Sequence, residues 1–414
     1  MGMNRRVLAV VAATVFVAGA SVTAASGAQR TDPGVTATSI TIGGTFPLTG
    51  VASLYSTIPL AEQAYFAYVN AHGGVNGRQI TFDVLDDQYD PSKTVPLTQQ
   101  LVEQDKVFAD YGSLGTAPIL STWGYLNQQK VPQVLVATGD SYWGFSHKAY
   151  PWTIGFQPDY PGESKIYGKY IQASMPNAKI GVLYQNDAYG KNYLAGLEVG
   201  LGAGKNKIIS KQAYDVTAPN VTQQMLSLKA SGANVFFDFA TPTASIQALV
   251  TATKIGWSPT ATFVNNVSAP ATFMHLAAAN GANIDNTISS TYLEDASVPS
   301  EANLAGVKLG KQILAQYAPK LDPTNQLNFY GLASAWTMVY ALQNAGKTPT
   351  RAGLMAALRS LNPAKAKNPF LYPGIQLQTS ATDAFPIEQQ ILVKWGGGPT
   401  GTWTAFGKLY NNAR

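Results

Sequence analysis

Residues 39–47, SITIGGTFP, open the stretch whose reading decides the fold. The run is short, apolar and closed by proline, as a strand buried on both faces must be. Residues 60–71 then place Leu60, Ala64, Ala67 and Ala71 on one helical stripe, which Gly73-Gly74 stops. Residues 79–85 alternate like a strand, and Asp90-Pro91 opens a helix as a cap followed by proline. A strand at 107–113, a helix at 117–129 and a strand at 131–138 complete a βαβαβαβ run. Such a run demands a mostly parallel sheet with helices on both faces.

The plan then starts again. A helix at 162–173 leads into strands at 179–184 (KIGVLY), 207–214, 234–239 (NVFFDF) and 262–266, with helices between them. The fold class is therefore α/β, with two doubly wound parallel-sheet lobes. Helices at 302–317, 332–344 and 351–361 and a strand at 387–395 read as additions to those lobes rather than a third domain. The chain would then cross between lobes more than once. The expected division is 36–158 plus 288–375 for lobe one and 159–287 plus 376–414 for lobe two.

The start of the chain bears on compartment. Arg5 and Arg6 precede an apolar run at 7–25, and Ser26-Gly27-Ala28 offers small residues to a signal peptidase. Residues 1–28 read as a secretory signal, with a twin-arginine type and a retained anchor as the alternatives. Export to the periplasm or beyond is expected. Net charge is +5, or +3 without Arg5 and Arg6, and the basic residues are scattered, so nucleic acid is not an expected partner. With no cysteine there is no disulfide, no thiolate chemistry and no lipid-bearing cysteine. Only His72, His147 and His275 are present, far apart, so neither a metal site nor a catalytic triad is expected.

In open α/β sheets, ligands bind beyond the carboxyl ends of the strands, near the point where strand order reverses. The loops at 47–55, 113–116 and 137–140 in lobe one are nominated on that ground. In lobe two the corresponding loops are 185–189, 239–243 and 265–268, which include Thr241 and Asn266. Gly115-Thr116-Ala117 runs straight into a helix, so its free amides and positive dipole end suit a carboxylate. Tyr55, Tyr142, Trp143 and Tyr189 lie beside these loops as candidate ring contacts, with plain core packing as the alternative. Asp86 and Asp87 close an expected edge strand and read as turn and capping residues. Residues 73–77, GGVNG, follow a helix and lack a Lys-Ser/Thr, so they read as a turn and not a phosphate loop.

Four stretches carry a resemblance: 42–50 (IGGTFPLTG), 69–77 (VNAHGGVNG), 131–133 (VPQ) and 184–191 (YQNDAYGK). In these the chain resembles the leucine/isoleucine/valine-type solute-binding proteins of ABC importers. Residues 150–158 (YPWTIGFQP) are similar to a subgroup that includes amino-acid and aromatic-acid binders. The resemblance implies two lobes closing over a small solute and three hinge crossings. It also implies a monomer without cofactor or catalysis that hands its cargo to permease subunits. It places carboxylate-binding loops on Leu114, Gly115 and Thr116 and on Ala137, Thr138 and Gly139, with aromatic contacts at Tyr55 and Tyr189. The family's amino-acid binders hold the ammonium with an acid from a lobe-two loop. Here that loop reads Asn265, Asn266, Val267, Ser268, with Asp140 or Asp187 as possible substitutes. The implied solute is a branched-chain amino acid or an aromatic or hydroxy acid. A ligand sensor on the same scaffold and a hydrolase are the competing readings; the shortage of histidine weighs against the second.

Overall fold

The computed structural model describes residues 1–2 and 32–411. The expected signal segment, apart from its first two residues, lies outside the described part. Among the described residues, no helix is long and apolar enough to cross a membrane.

The first sheet contains β1 (Ser39–Phe46), β2 (Gln79–Asp86), β3 (Asp110–Tyr111), β4 (Gln133–Val136) and β5 (Thr153–Gly155). Its order is β2-β1-β3-β4-β5 and every pairing is parallel. The second sheet contains β6 (Ile180–Gln185), β7 (Ile208–Tyr214), β8 (Val235–Phe239), β9 (Ala261–Val264), β10 (Thr287–Thr291), β11 (Gln389–Gly396) and β12 (Thr402–Asn411). Its order is β12-β11-β10-β9-β8-β6-β7. From β7 to β10 it repeats the 2-1-3-4-5 winding of the first sheet in parallel register. The antiparallel pair β11 and β12 then extends its edge. The order reverses between β1 and β3 in one sheet and between β6 and β8 in the other. Both reversals lie where a ligand crevice forms.

Lobe one is held by a core that joins Ile40, Ile42 and Phe46 of β1 to Phe329, Leu332 and Met338 of the helix Gln326–Asn344. The late helices thus pack on the first lobe, as their apolar stripes require. In lobe two, Phe237 stacks on Phe263 with centroids 4.5 Å apart, and Tyr193 stacks on Phe239 at 4.8 Å. Each such ring buries enough apolar area to contribute on the order of 4 kcal/mol. The helices Tyr160–Ser174 and Ala188–Leu201 approach closely through small residues. A Cβ at Gly196 would lie 2.3 Å from the Pro161 carbonyl oxygen.

The chain passes between lobes after β5, after β10 and before β11. Because β10 pairs with β9 and β11, residues 288–291 belong to the second sheet rather than to the expected lobe one segment. The crossing comes just beyond: Leu293 bridges to Leu371, Tyr372 N–H donates to the Tyr292 carbonyl at 2.9 Å, and Glu294 N–H donates to Phe370.

Candidate functional site

A cavity, part of it continuous with solvent, lies where the carboxyl ends of both sheets meet. Of the eleven residues nominated from sequence, seven line it: Tyr55, Leu114, Gly115, Ala137, Tyr189, Thr241 and Asn266. Thr116, Thr138, Gly139 and Asp140 do not; they sit behind the lining.

The reasons are local. Thr116 Oγ1 and Thr138 Oγ1 hydrogen-bond to each other at 2.6 Å, and both residues are fully buried. The amides of Leu114 and Gly115 donate to the Thr45 and Ala137 carbonyls, at 3.0 and 3.3 Å. Phenol rings cover the two glycines. A Cβ at Gly115 would meet Tyr89 Cε2 at 2.5 Å, and one at Gly139 would meet Tyr160 Cδ1 at 2.7 Å. Gly115 also holds a φ of 108°, a left-handed geometry that side chains resist. Two of the loop amides, those of Leu114 and Gly115, are therefore tied into the sheet, and rings from Tyr89 and Tyr160 overlie the loops.

Asp140 reaches across the cleft instead of into the cavity, accepting from Asn192 Nδ2 of lobe two at 3.1 Å. Burial pushes its carboxyl up to about 6. Asp187 caps its own helix through Gly190 N–H, accepts from Gln185 Nε2 at 2.7 Å, and does not line the cavity. Asn265 is likewise committed: its amide donates to the Asp238 and Ala240 carbonyls at 3.0 and 2.9 Å. Tyr142 and Trp143 turn away from the cavity to pack on Trp123. Asp86 and Asp87 hold turns, through Leu48, Thr49 and Gln88 N–H for the first and Tyr89 N–H for the second.

Lobe one and lobe two also touch through Tyr55, whose hydroxyl donates to the Val267 carbonyl at 3.3 Å, and through Thr243, whose hydroxyl donates to the Val51 carbonyl at 3.1 Å. Tyr189 donates to the Ala240 carbonyl at 3.0 Å and meets Tyr160 edge-on with centroids 5.0 Å apart. Thr241 is fixed by Tyr214, whose hydroxyl accepts from Thr241 N–H at 3.0 Å. Asn266 N–H donates to Glu163 Oε1 at 2.8 Å. Burial lifts Glu163 to about 7, against hydrogen bonds from Tyr167, Asn266 and Tyr193 that favour its charged form.

Sequence reasoning missed four further tyrosines in the lining: Tyr89, Tyr160, Tyr292 and Tyr330. With Tyr55 and Tyr189 they make six, and burial raises the pKa of each, so all stay protonated phenols. Gln157 and Gln326 add neutral amides. No aspartate, glutamate, lysine, arginine or histidine lines the cavity among the described residues. Nor do the described residues contain a cluster able to hold a metal ion.

Two doubly wound lobes, three crossings and one cavity between facing strand ends define a hinged solute-binding protein. The chain belongs to the periplasmic binding protein family, whose pattern residues 39–399 match. That membership makes it a non-catalytic binder. It is 24% identical over 203 residues to the Leu/Ile/Val-binding protein homolog 3 of Brucella melitensis, a match covering 48% of this chain. The match spans about half, 53%, of that relative's length. Among solved structures, the fold resembles a branched-chain amino acid ABC transporter protein of Thermus thermophilus with bound valine. The TM-score is 0.77 at 15% identity, covering 90% of this chain and 96% of that one. It also resembles a fatty acid ABC transporter substrate-binding protein of Thermomonospora curvata, with a TM-score of 0.74 at 21% identity, covering 91% and 94%.

Proposed function

We propose that this chain is the extracytoplasmic receptor of an ABC importer, exported by the segment at residues 1–28. It would act as a monomer that closes over one small solute and presents it to permease subunits. The observation that carries this reading is the cavity itself, which takes lining from both lobes while Tyr55 and Thr243 bond across its rim. A solute touching both walls stabilises the closed form over the open one. Moving a mostly open population to a mostly closed one takes about 5 kcal/mol of such preference. A micromolar dissociation constant corresponds to about 8 kcal/mol in total, which leaves room for it.

The implied solutes are branched-chain amino acids and aromatic or hydroxy acids. The tyrosine-rich lining supports their branched or aromatic skeletons rather than their charged groups. The ligand contacts proposed are Tyr55, Leu114, Gly115, Ala137, Tyr189, Thr241 and Asn266. The proposed lobes are 36–158 with 292–375, and 159–291 with 376–414, the boundary being set by β10. The test is to offer the purified protein a low-molecular-weight extract of growth medium, recover what binds by mass spectrometry, and follow lobe closure by small-angle scattering. Stoichiometric capture with a smaller radius of gyration supports the reading. Chemical turnover of the captured compound, or capture without closure, overturns it.

A further inference from the structure

Among the described residues, the cavity wall contains no ionisable acid or base other than phenols, so a charged group placed there would exchange water for neutral dipoles alone. The loops that would seat a carboxylate are covered by the Tyr89 and Tyr160 rings, and their Leu114 and Gly115 amides are already bonded within the sheet. The loop that would hold an ammonium offers Asn266, with Asn265 committed to two carbonyls. A carboxylate thus finds two of its nominated amides already taken, and an ammonium meets no carboxylate in the lining.

A smaller hollow next door shares Ser290, Thr291 and Gln326 with the main cavity and is lined by Asp295 and Glu301. These carboxylates have local duties. Asp295 accepts from Ser297 N–H and its hydroxyl at 2.8 and 2.6 Å, and Glu301 accepts from Asp295 N–H at 2.7 Å.

One group is left over. Tyr330, from the second turn of the helix Gln326–Asn344, lines the cavity with only 6% of its surface exposed, and its hydroxyl has no hydrogen-bond partner. A buried hydroxyl without a partner destabilises the protein that carries it unless something else completes it.

We infer that the solute is an uncharged molecule with an apolar, aromatic or branched body and a neutral polar group that hydrogen-bonds the Tyr330 hydroxyl. This rests on the cavity being the solute site. The six phenols supply flat apolar walls around the body, and Gln157 and Gln326 supply neutral polar contacts at its ends. Selectivity against amino acids then comes from leaving their charges unpaired, which discriminates more sharply than a change in shape.

The test uses two matched sets in calorimetry at pH 7.5: phenylacetamide, phenylacetate, phenethylamine and phenylalanine, and 4-methylpentanamide, 4-methylpentanoate, isoamylamine and leucine. The expected result is that an amide binds at least tenfold tighter than every charged member of its set. A charged member binding as tightly as its amide overturns the inference, as does failure of both amides to bind. Tyr330→Phe adds a signature that a purely structural residue would not give. Amide affinity should fall about tenfold while the melting temperature of the unliganded protein holds or rises. Unchanged affinity, or a fall in both, removes Tyr330 from the site. A charged probe that binds and closes the lobes sinks the inference and leaves the receptor reading standing. If neither the eight probes nor the growth-medium extract closes the lobes, both fall.

Discussion

Asn192 clasps Asp140 from the opposite lobe: its Nδ2 donates to Asp140 Oδ2 at 3.1 Å, and its Oδ1 accepts from Ser141 Oγ at 3.1 Å. Asp140 is almost fully buried by this contact and by Tyr142 N–H on its other oxygen. The pair joins the two lobes, so an opening that parts them here would break it.

Asn192→Ala should therefore weaken solute binding without unfolding the protein. A hydrogen bond to a carboxylate contributes about 1.5–3 kcal/mol when buried and less when half-exposed, as Asn192 is. A loss of roughly three- to tenfold in affinity is expected, with a larger radius of gyration at partial saturation. Equal affinity and equal compactness would show the clasp to be idle.

Tyr189 separates packing from polarity. Its ring is wedged between Tyr160 and Tyr193, with centroids 5.0 and 5.4 Å away, and it is 2% exposed. Tyr189→Ala should cost about 3–5 kcal/mol of stability, as large aromatic truncations in cores do. Tyr189→Phe keeps the ring and loses only the bond to Ala240, so it should fold normally and shift solute affinity by a few-fold. Urea titration checks the first and calorimetry the second.

Stability should rise as pH falls from 7.5 towards 5. Burial pushes Glu163 and Asp238 up to about 7, and Asp110 up to about 6. An acid whose folded pKa lies above its unfolded value of about 4 binds its proton more tightly when folded. Between about 4 and 7 the folded state thus holds more protons, and stability is lost as pH climbs through that window. Unfolding free energies from denaturant titration should be higher at pH 5 than at pH 7.5, by on the order of 6 kcal/mol in all. Glu163→Gln should flatten part of that slope; a flat profile in the parent protein would refute it.

Gly196→Ala tests the helix contact in lobe two. The new methyl would stand 2.3 Å from both the Pro161 carbonyl oxygen and Ser164 Oγ. Forcing these helices apart should cost about 1–3 kcal/mol, visible as a lower melting temperature. Ordinary stability would mean that the helices slide freely.

Strand and helix alternation was readable because β1, β8 and their neighbours are apolar runs between turn signals, and the period changes cleanly. Strand 107–113 shrank to Asp110–Tyr111 because Gly112, with a φ of 69°, breaks the pleat. The site was legible where it sits within a few residues of a strand end, as Leu114, Ala137, Thr241 and Asn266 do, and in the loop after β1, which carries Tyr55. Tyr330 escaped because the apolar stripe was read from residue 332, whereas the helix starts at Gln326, capped by Asn325, which accepts Leu327 N–H. Tyr89 follows an edge strand and swings inward only because its backbone is left-handed, with a φ of 64°. Tyr160 enters through a crossing, which no local period marks. Thr116 and Thr138 misled for a simpler reason: two hydroxyls at neighbouring strand ends satisfied each other.

Tyr292 and Leu293 line the cavity and form the crossing that follows β10. The floor of the site and one of its pivots are therefore the same few peptide units. Cargo that leaned on Tyr292 would press on the hinge with no linkage in between, and occupancy would then bear directly on lobe angle. Redesign for new cargo at Tyr292 would retune how readily the jaws swing as well as what they hold.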